Sequence, residues 1–222
     1  MPYRKVPIVS GEVYHIFNRS IARLPIFQNN SDFSRFTDLI NYYRFKDTPA
    51  SFSKFKRLDN ETRKQILNDL IKRNDLLVEI VAYCLMDNHF HFLLKQIADK
   101  GVARFISNLQ NGYAKFFNLR NERIGPLFQP MFKNVRIVTD EQLLHVSRYI
   151  HLNPSTSYLV EIKDLENYHW SSLSSYLKSS GSIFVDPKLV LSLISRKKYK
   201  EFVYDHADYQ RDLGRIKHLT FE

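Results

Sequence analysis

Two apolar segments separated by only two residues limit the folds that this chain can adopt. The segments are LLVEIVAYCLM at 76–86 and HFHFLLK at 89–95, and the Asp87-Asn88 pair between them is a tight-turn sequence. Both segments are predominantly apolar and are bounded by turn residues, a pattern that predicts strands. They therefore predict a β-hairpin in the middle of the chain and, with it, an antiparallel or mixed sheet.

The segments on either side of this hairpin alternate between helical and extended patterns. Alternating side chains predict strands at 11–20 and within 127–138, the latter with its regular part after Pro130. Residues 46–64 lose any regular period and are predicted to form a mobile connection. Apolar residues at helical spacing predict helices at 30–45, 61–74, 102–123 and 139–154. This order is typical of an α+β sandwich with helices on one face of the sheet.

His89 and His91 stand one residue apart in an otherwise apolar strand. Side chains at i and i+2 of a strand project to the same face, so the two imidazoles lie side by side and Phe90 and Phe92 point the other way. Burying two imidazoles without partners costs free energy. The pair is therefore either a hydrogen-bonded part of the core or two ligands of a metal ion, because neutral histidine is the commonest metal ligand.

The last of the predicted helices carries a second polar pair. Thr139 and Gln142 form a capping box at its start, and Pro154 is expected to end it. Tyr149 and Asn153 are four residues apart, which places them about 40° apart around the helix axis. They flank the apolar stripe of the helix. On this pattern alone, the preferred interpretation is a core-edge tyrosine and a helix-terminal asparagine without a functional role.

Charge and aromatic content indicate a polyanionic partner. The chain of 222 residues has 33 Lys and Arg against 23 Asp and Glu, a formal net charge of +10, together with 13 Tyr and 17 Phe. Cations follow phosphates and aromatic rings stack on bases, so this combination suits single-stranded nucleic acid. A basic protein without such a partner is the alternative interpretation.

Cysteine usage and the amino-terminal residues indicate the compartment. The single cysteine, Cys84, excludes an internal disulfide framework and a multi-cysteine zinc site, and it is expected to pack in the core. The residues MPYRKVPIVSGEVYHIF lack the apolar segment of a signal peptide, and no run reaches membrane-spanning length. We therefore expect a soluble, cytoplasmic protein without a membrane partner, associated with the nucleoid when it is bound to DNA.

Several segments, taken in order, resemble one known family. GEVYHIFNRS at 11–20 is similar to its opening strand, MDNHFHFLL at 86–94 to its histidine strand, and YAKFFNLRNERIGPLFQ at 113–129 to the segment that follows. RYIHLNP and YHWSSLSSYL resemble its catalytic helix and the aromatic segment after that helix. The family is that of the single-tyrosine HUH transposases, most closely the REP-associated branch with an IS200-like transposase domain. The likeness covers about residues 10–180.

The resemblance implies a ferredoxin-like, RRM-like antiparallel sheet and a metal-dependent enzyme that nicks and rejoins single-stranded DNA. His89 and His91 would be metal ligands, Tyr149 the nucleophile, and Asn153 the side chain that completes the metal site. A related branch has Gln at this last position. The implied cofactor is Mg²⁺ or Mn²⁺, and Zn²⁺ also suits imidazole ligands. Cleavage would leave a 5′-phosphotyrosine, and rejoining would need no ATP.

The resemblance also divides the chain and indicates where DNA would lie. It implies a catalytic domain at 1–180, a basic helical extension at 181–222, and a monomer or homodimer on single-stranded or hairpin DNA. The family commonly has an arginine at the place of Met131, so Lys133 or Arg136 would supply that charge. His145, one turn before Tyr149, is either a helper in proton transfer or an exposed helix residue. The predicted DNA-binding residues are Arg123, Lys133, Arg136, Arg148, Arg196, Lys197 and Lys198.

Other interpretations compete with this one. Tyr113 is a second candidate nucleophile, but its i+4 neighbour is Phe117 and no polar group there would complete a metal site. A histidine-triad hydrolase would need a third histidine where the chain has Leu93. An RNA-binding sheet explains charge and aromatic content but not the pairing of Tyr149 with Asn153. The remaining alternative is a DNA- or RNA-binding protein that keeps the fold without cleavage.

Overall fold

A four-stranded antiparallel sheet organises the protein, whose computed structural model describes residues 7–178 and 182–205. The strands lie in the order β2-β3-β1-β4, and β1 pairs with both β3 and β4. This is the ferredoxin-like arrangement, so the predicted α+β fold is confirmed. The strands are β1 Val13–Arg19, β2 Val78–Met86, β3 His89–Gln96 and β4 Lys133–Ile137.

Helices fill the connections and the region after the last strand. Two short 3-10 helices span Ile21–Arg23 and Ile162–Asn167. Two residues, Asp87 and Asn88, join β2 to β3, as the hairpin prediction requires. The α-helices are α1 Asn30–Tyr43, α2 Phe52–Phe55, α3 Asn60–Arg73, α4 Gly101–Arg120, α5 Asp140–Thr156, α6 Leu173–Leu177, α7 Lys188–Leu191 and α8 Arg196–Tyr204.

The first face of the sheet forms the larger core, under α1 and α4. Alternation along the strands sends Tyr14, Ile16, Phe90 and Phe92 to this face, where none of them is exposed. The helices supply rings at helical spacing, including Phe36, which packs against Phe90 with the ring centres 5.5 Å apart. The part of this face that α1 and α4 cover is therefore closed to solvent.

The second face is partly covered by α5 and by the elements after it. Cys84 and Leu93 from the sheet join Ile150 of α5 and Tyr199 of α8 in one apolar cluster, the second core. The prediction of helices on one face therefore holds for α1 and α4 and is incomplete, because α5 packs on β2 and β3 from the other side. Cys84 is completely buried in this cluster, as expected, and burial raises the pKa of its thiol.

The predicted extension is continuous with the second core over the part that the structure describes. Tyr199 and Val203 of α8 are completely buried against α5 and α6. Apolar packing therefore continues across the predicted boundary near residue 180. Residues 181 and 206–222 of the extension lie outside the described residues.

Two local predictions differ from the structure. Residues 46–64, predicted to be a mobile connection, contain α2, whose Phe52 and Phe55 are buried against Tyr42. The helix predicted to stop at Pro154 continues to Thr156. Proline there removes one intrahelical hydrogen bond, which the last turn tolerates. In the part of the chain that the structure describes, no helix has the length and apolar character that crossing a bilayer requires.

Candidate active site

The pairing of β1 with β3 assembles a row of polar and aromatic side chains on the second face. Phe17 is directly opposite His91, and Arg19 is directly opposite His89. Directly paired residues in an antiparallel sheet point to the same side. His15, two residues before Phe17, points there too. The two histidines of the predicted motif are therefore joined by three residues of β1 that the motif did not include.

His15 is in direct contact with the predicted metal ligands. Its Nε2 atom lies 2.9 Å from Nδ1 of His91, and the two rings are stacked with centres 5.1 Å apart. The rings of His89 and His91 are also 5.1 Å apart, but nearly perpendicular. Nδ1 of His89 lies 2.7 Å from the side-chain oxygen of Asn88. Each predicted ligand thus has its Nδ1 atom held by a neighbour.

Burial keeps all three imidazoles neutral at physiological pH. It lowers the pKa of His15 to about 4 and that of His89 to about 4, and it lowers the pKa of His91 well below the ordinary value. The positive charge of Arg19 acts in the same direction on the pKa values of His89 and His91. Neutral imidazole is the form that binds a metal ion, because protonation occupies the lone pair.

Tyr149 reaches this cluster from α5. Its ring centre lies 5.6 Å from that of His91 and 5.9 Å from that of His15, with its plane steeply inclined to both imidazoles. The side chain keeps 39% of its surface exposed, so a large substrate can reach it. Burial raises the pKa of the phenol, whereas a hydrogen bond from Asn153 and the charge of Arg19 act in the opposite direction.

Asn153 is next to Tyr149 on the same helix, as its i+4 spacing predicts. Its amide nitrogen donates to the main-chain oxygen of Tyr149 at 3.1 Å, and the side chain is nearly buried. This bond fixes the amide plane with its nitrogen toward the helix. The amide oxygen is therefore the atom of Asn153 that would join a metal site.

The donor set fits a divalent metal ion. With Nδ1 of each histidine held by a neighbour, the Nε2 atoms of His89 and His91 would be the ligand atoms. Such outer hydrogen bonds are usual at metal-binding histidines. Within residues 7–178 and 182–205, no three side chains drawn from His, Cys, Asp and Glu are grouped so that they could hold a metal ion. A site here would therefore use two imidazoles, the amide oxygen of Asn153, water and substrate oxygen, which suits Mn²⁺ or Mg²⁺.

Two of the predicted residues on α5 face away from this cluster. Arg148 is nearly buried, stacks on Phe202 of α8 at 4.0 Å and donates to the main-chain oxygen of that residue. His145 pairs through Nδ1 with Arg148 at 2.8 Å and lies 3.7 Å from Glu141. These interactions link α5 to α8. Arg148 is therefore not part of the proposed DNA surface, and His145 does not assist proton transfer at Tyr149.

The predicted cations around β4 have three different environments. Lys133 is exposed, pairs with Phe17 on the second face, and has its ammonium 5.9 Å from the centre of that ring. Arg136 lies opposite Tyr14 and therefore points to the first face, where its guanidinium pairs with Glu12 at 2.7 Å. Arg123 donates to Asn118, near the end of α4, and to the main-chain oxygen of Pro126 in its own loop.

The predicted cations of α8 also separate into two groups. One guanidinium nitrogen of Arg196 lies 2.7–3.0 Å from the main-chain oxygens of Ser175, Tyr176 and Lys178, at the end of α6. Arg196 thus has a structural role as a helix cap. Lys197 and Lys198 are exposed.

Tyr113, the rival nucleophile, lies in the larger core on the first face of the sheet. It is completely buried on α4, and its hydroxyl donates to the main-chain oxygen of Ile26. Burial raises the pKa of this phenol strongly. Tyr113 has neither access to substrate nor a polar neighbour resembling the histidine cluster, which leaves Tyr149 as the tyrosine of the site.

Comparison with known proteins agrees with this architecture. The family model described as Transposase IS200 like matches residues 51–153. The chain is also similar to a solved structure of a REP-associated tyrosine transposase bound to a REP hairpin, with 16% sequence identity and a TM-score of 0.50. That likeness covers 79% of this chain and 84% of the other, and at this identity it supports the fold alone. No curated protein matches the chain.

Proposed function

We propose that this chain, whose residues 51–153 match the model of the IS200-like transposase family, nicks and rejoins single-stranded DNA through Tyr149. The observation that carries this proposal is the position of an accessible phenol against the buried pair His15 and His91. The ring centre of Tyr149 lies 5.9 Å from that of His15 and 5.6 Å from that of His91. A tyrosine that served only to pack would not need polar rings on one side and solvent on the other.

The proposed reaction is a transesterification at one phosphodiester. The Tyr149 oxygen attacks phosphorus, a bond from that oxygen to phosphorus forms, and the bond from phosphorus to the 3′-oxygen breaks. The phenol loses its proton and the departing 3′-oxygen gains one, so the products are a 5′-phosphotyrosine and a free 3′-hydroxyl. Attack by a second 3′-hydroxyl reverses these steps and releases Tyr149. No ATP is consumed, because the covalent link conserves the energy of the ester.

The phenol needs assistance, because burial raises its pKa above the ordinary value. Arg19, on the same face of the sheet, favours the ionised oxygen, and so does the hydrogen bond from Asn153. A divalent ion held by His89, His91 and Asn153 would offset the negative charge that develops on the phosphate. The side chains of this chain would therefore orient the nucleophile and lower the cost of deprotonating it.

The DNA would lie over the uncovered half of the second face. Helix α5 packs mainly on β2 and β3, whereas Phe17 and Arg19 of β1 are half-buried and Lys133 of β4 is exposed. A ring beside two cations suits single-stranded DNA, in which bases stack and phosphates need positive charge. By analogy with the REP-associated structure, which is bound to a REP hairpin, we propose hairpin-bearing DNA as the substrate.

Covalent capture tests this function. The protein is incubated with a labelled hairpin oligonucleotide that has a single-stranded flank, with and without Mn²⁺, and adducts are separated under denaturing conditions. We expect a Mn²⁺-dependent adduct that Tyr149→Phe abolishes while DNA affinity is retained, because that variant lacks only the nucleophilic oxygen. Tyr158→Phe, which alters an exposed tyrosine beyond the end of α5, is the matched control and should form the adduct.

The alternative function, DNA or RNA binding without cleavage, gives the opposite result. The wild-type protein would then bind the hairpin and form no adduct with any divalent metal. An adduct that persists in Tyr149→Phe and disappears in Tyr113→Phe would instead overturn the choice of nucleophile.

A further inference from the structure

The contact between His15 and His91 determines which nitrogen of His91 is available to a ligand. The two atoms that meet, Nε2 of His15 and Nδ1 of His91, are 2.9 Å apart, and both side chains are nearly buried. Two neutral imidazoles at this distance share one hydrogen, so one ring donates and the other accepts. If His91 donates, its Nε2 has a free lone pair. If His15 donates, Nε2 of His91 carries the hydrogen and cannot bind a metal.

The hydrogen bonds of Asn88 indicate which nitrogen of His89 carries the hydrogen. The Asn88 amide nitrogen donates to the main-chain oxygen of Arg23 at 3.2 Å, which orients the Asn88 oxygen toward His89. That oxygen can only accept, so Nδ1 of His89 carries the hydrogen and its Nε2 has the lone pair. A second ligand at the same site has to present its lone pair in the same way. His91 does so only when His15 accepts.

We propose that His15 is a positioning residue that accepts a hydrogen bond from Nδ1 of His91 and thereby holds His91 in the tautomer whose Nε2 atom binds the metal ion. The inference rests on the proposed function, in which His91 is a ligand. His15 suits this role because β1 is an inner strand, paired with β3 on one side and β4 on the other. It reaches His91 diagonally, since its direct partner on β3 is Leu93.

The first test observes the tautomer in metal-free protein at neutral pH. Side-chain ¹⁵N chemical shifts of histidines distinguish a protonated Nδ1 from a protonated Nε2. We expect His91 to carry its hydrogen on Nδ1 in the wild-type protein and in His15→Gln, whose amide oxygen can accept. His15→Leu, which has no acceptor, should shift His91 toward the Nε2-protonated form. A wild-type His91 with its hydrogen on Nε2 overturns the proposal.

The second test measures Mn²⁺ affinity by calorimetry on the same variants. Removal of an outer hydrogen-bonding partner typically weakens metal binding by about 10- to 100-fold. We expect His15→Leu to show a decrease of that size and His15→Gln to stay close to wild type. Equal decreases in both variants would make His15 a ligand or a packing residue and not a positioning acceptor. Affinity equal to wild type in His15→Leu would also overturn the inference.

His91→Ala separates failure of this inference from failure of the proposed metal site. If His91→Ala binds Mn²⁺ as well as the wild-type protein does, the metal site itself is misplaced. If His91→Ala does not bind Mn²⁺ and His15→Leu binds it normally, only the role of His15 is wrong. Circular dichroism verifies that each variant is folded. If His15→Leu does not fold, the wild-type tautomer and the affinity of His15→Gln still decide the question.

Discussion

His151 and Tyr199 are joined inside the protein by a hydrogen bond of 2.8 Å between the Nδ1 atom and the phenol oxygen. Both side chains are completely buried. The Tyr199 hydroxyl also donates to Ser147 at 3.0 Å, and Nε2 of His151 lies 2.7 Å from the Ser172 hydroxyl. This network ties α5, which carries Tyr149, to α8 on one side and to the segment before α6 on the other.

We expect Tyr199→Phe to destabilise the fold by about 1–3 kcal/mol, because removal of its hydroxyl leaves Nδ1 of the buried His151 without a partner and removes the hydrogen bond that Ser147 accepts. Urea denaturation measures the change. Tyr204→Phe is the matched control on the same helix, since its hydroxyl bonds to Glu166 at the half-exposed surface, and it should change stability by less than about 0.5 kcal/mol. Equal effects of the two substitutions would contradict a special role for the buried network.

The pH dependence of stability should also report on His151. Burial lowers the pKa of this histidine to about 3 in the folded protein, below its ordinary value of 6.5. The unfolded chain therefore binds the extra proton between these values, and stability decreases as the pH falls below about 6.5. His151→Gln should reduce the slope of unfolding free energy between pH 4 and 6 by about 1.4 kcal/mol per pH unit. An unchanged slope would show that His151 is protonated in the fold.

The start of α4 depends on a glycine. A β-carbon on Gly101 would lie 2.1 Å from the main-chain oxygen of Leu77, whereas one on Gly112 would meet only flexible side-chain atoms, the nearest on Leu39 at 3.0 Å. Gly101→Ala should therefore cost about 1–3 kcal/mol in unfolding free energy. In Gly112→Ala, the better helix propensity of alanine, about 1 kcal/mol, offsets the tighter packing. Similar urea midpoints for the two variants would contradict the steric explanation.

Local signals in the sequence predict much of the fold. The turn at Asp87-Asn88 and the capping box of α5 are predictable because their interactions lie within a few residues. In that box, the Thr139 hydroxyl accepts from the Gln142 main chain, and the Gln142 side chain accepts from Val138. The helix α2 has only four residues, FSKF, which are too few to show a helical period.

The site is predictable only in part, because its members come from distant segments. The spacing in the HFH motif places His89 and His91 on one face, but the contribution of His15 depends on the register between β1 and β3. That register is set by packing over some 75 intervening residues and not by a local pattern. The alternation of β1 is the available signal, since it gives His15, Phe17 and Arg19 a common face.

The basic residues of α8 should differ in their contributions to DNA binding and to stability. Lys197 and Lys198 are exposed, whereas Arg196 caps α6. If the basic face of α8 binds hairpin DNA, Lys197→Ala with Lys198→Ala should flatten the slope of log affinity against log salt concentration by about 0.7–0.9 for each phosphate that the two lysines bind. Stability should be unchanged. Arg196→Ala should instead lower the urea midpoint, because three main-chain oxygens would be without their donor.

An unchanged salt slope in the double lysine variant would exclude α8 from the DNA surface. Truncation after Ser195 is not an equivalent experiment, because it removes Tyr199 and Val203 from the second core. Substitution of the exposed lysines leaves that core intact, so a change in DNA binding can be assigned to charge.

The two cations of β4 offer the most direct test of the proposed DNA path. Lys133 and Arg136 belong to one strand of five residues, and both are exposed. Lys133 projects to the face that carries Phe17 and the histidine cluster, and Arg136 projects to the opposite face and pairs with Glu12. We expect Lys133→Ala to reduce the salt slope for single-stranded DNA by about 0.7, the contribution of one bound phosphate, and Arg136→Ala to leave it unchanged.

The contrast between the two variants distinguishes a specific path from general attraction. Both substitutions remove one positive charge from a chain of net charge +10, so an effect of overall charge on affinity would be the same in each. Lys133→Arg keeps the charge at the same place and should retain the wild-type slope. Equal reductions for Lys133→Ala and Arg136→Ala would mean that DNA is attracted without following β4. A larger reduction for Arg136→Ala would place the DNA on the opposite side of the strand, away from Tyr149.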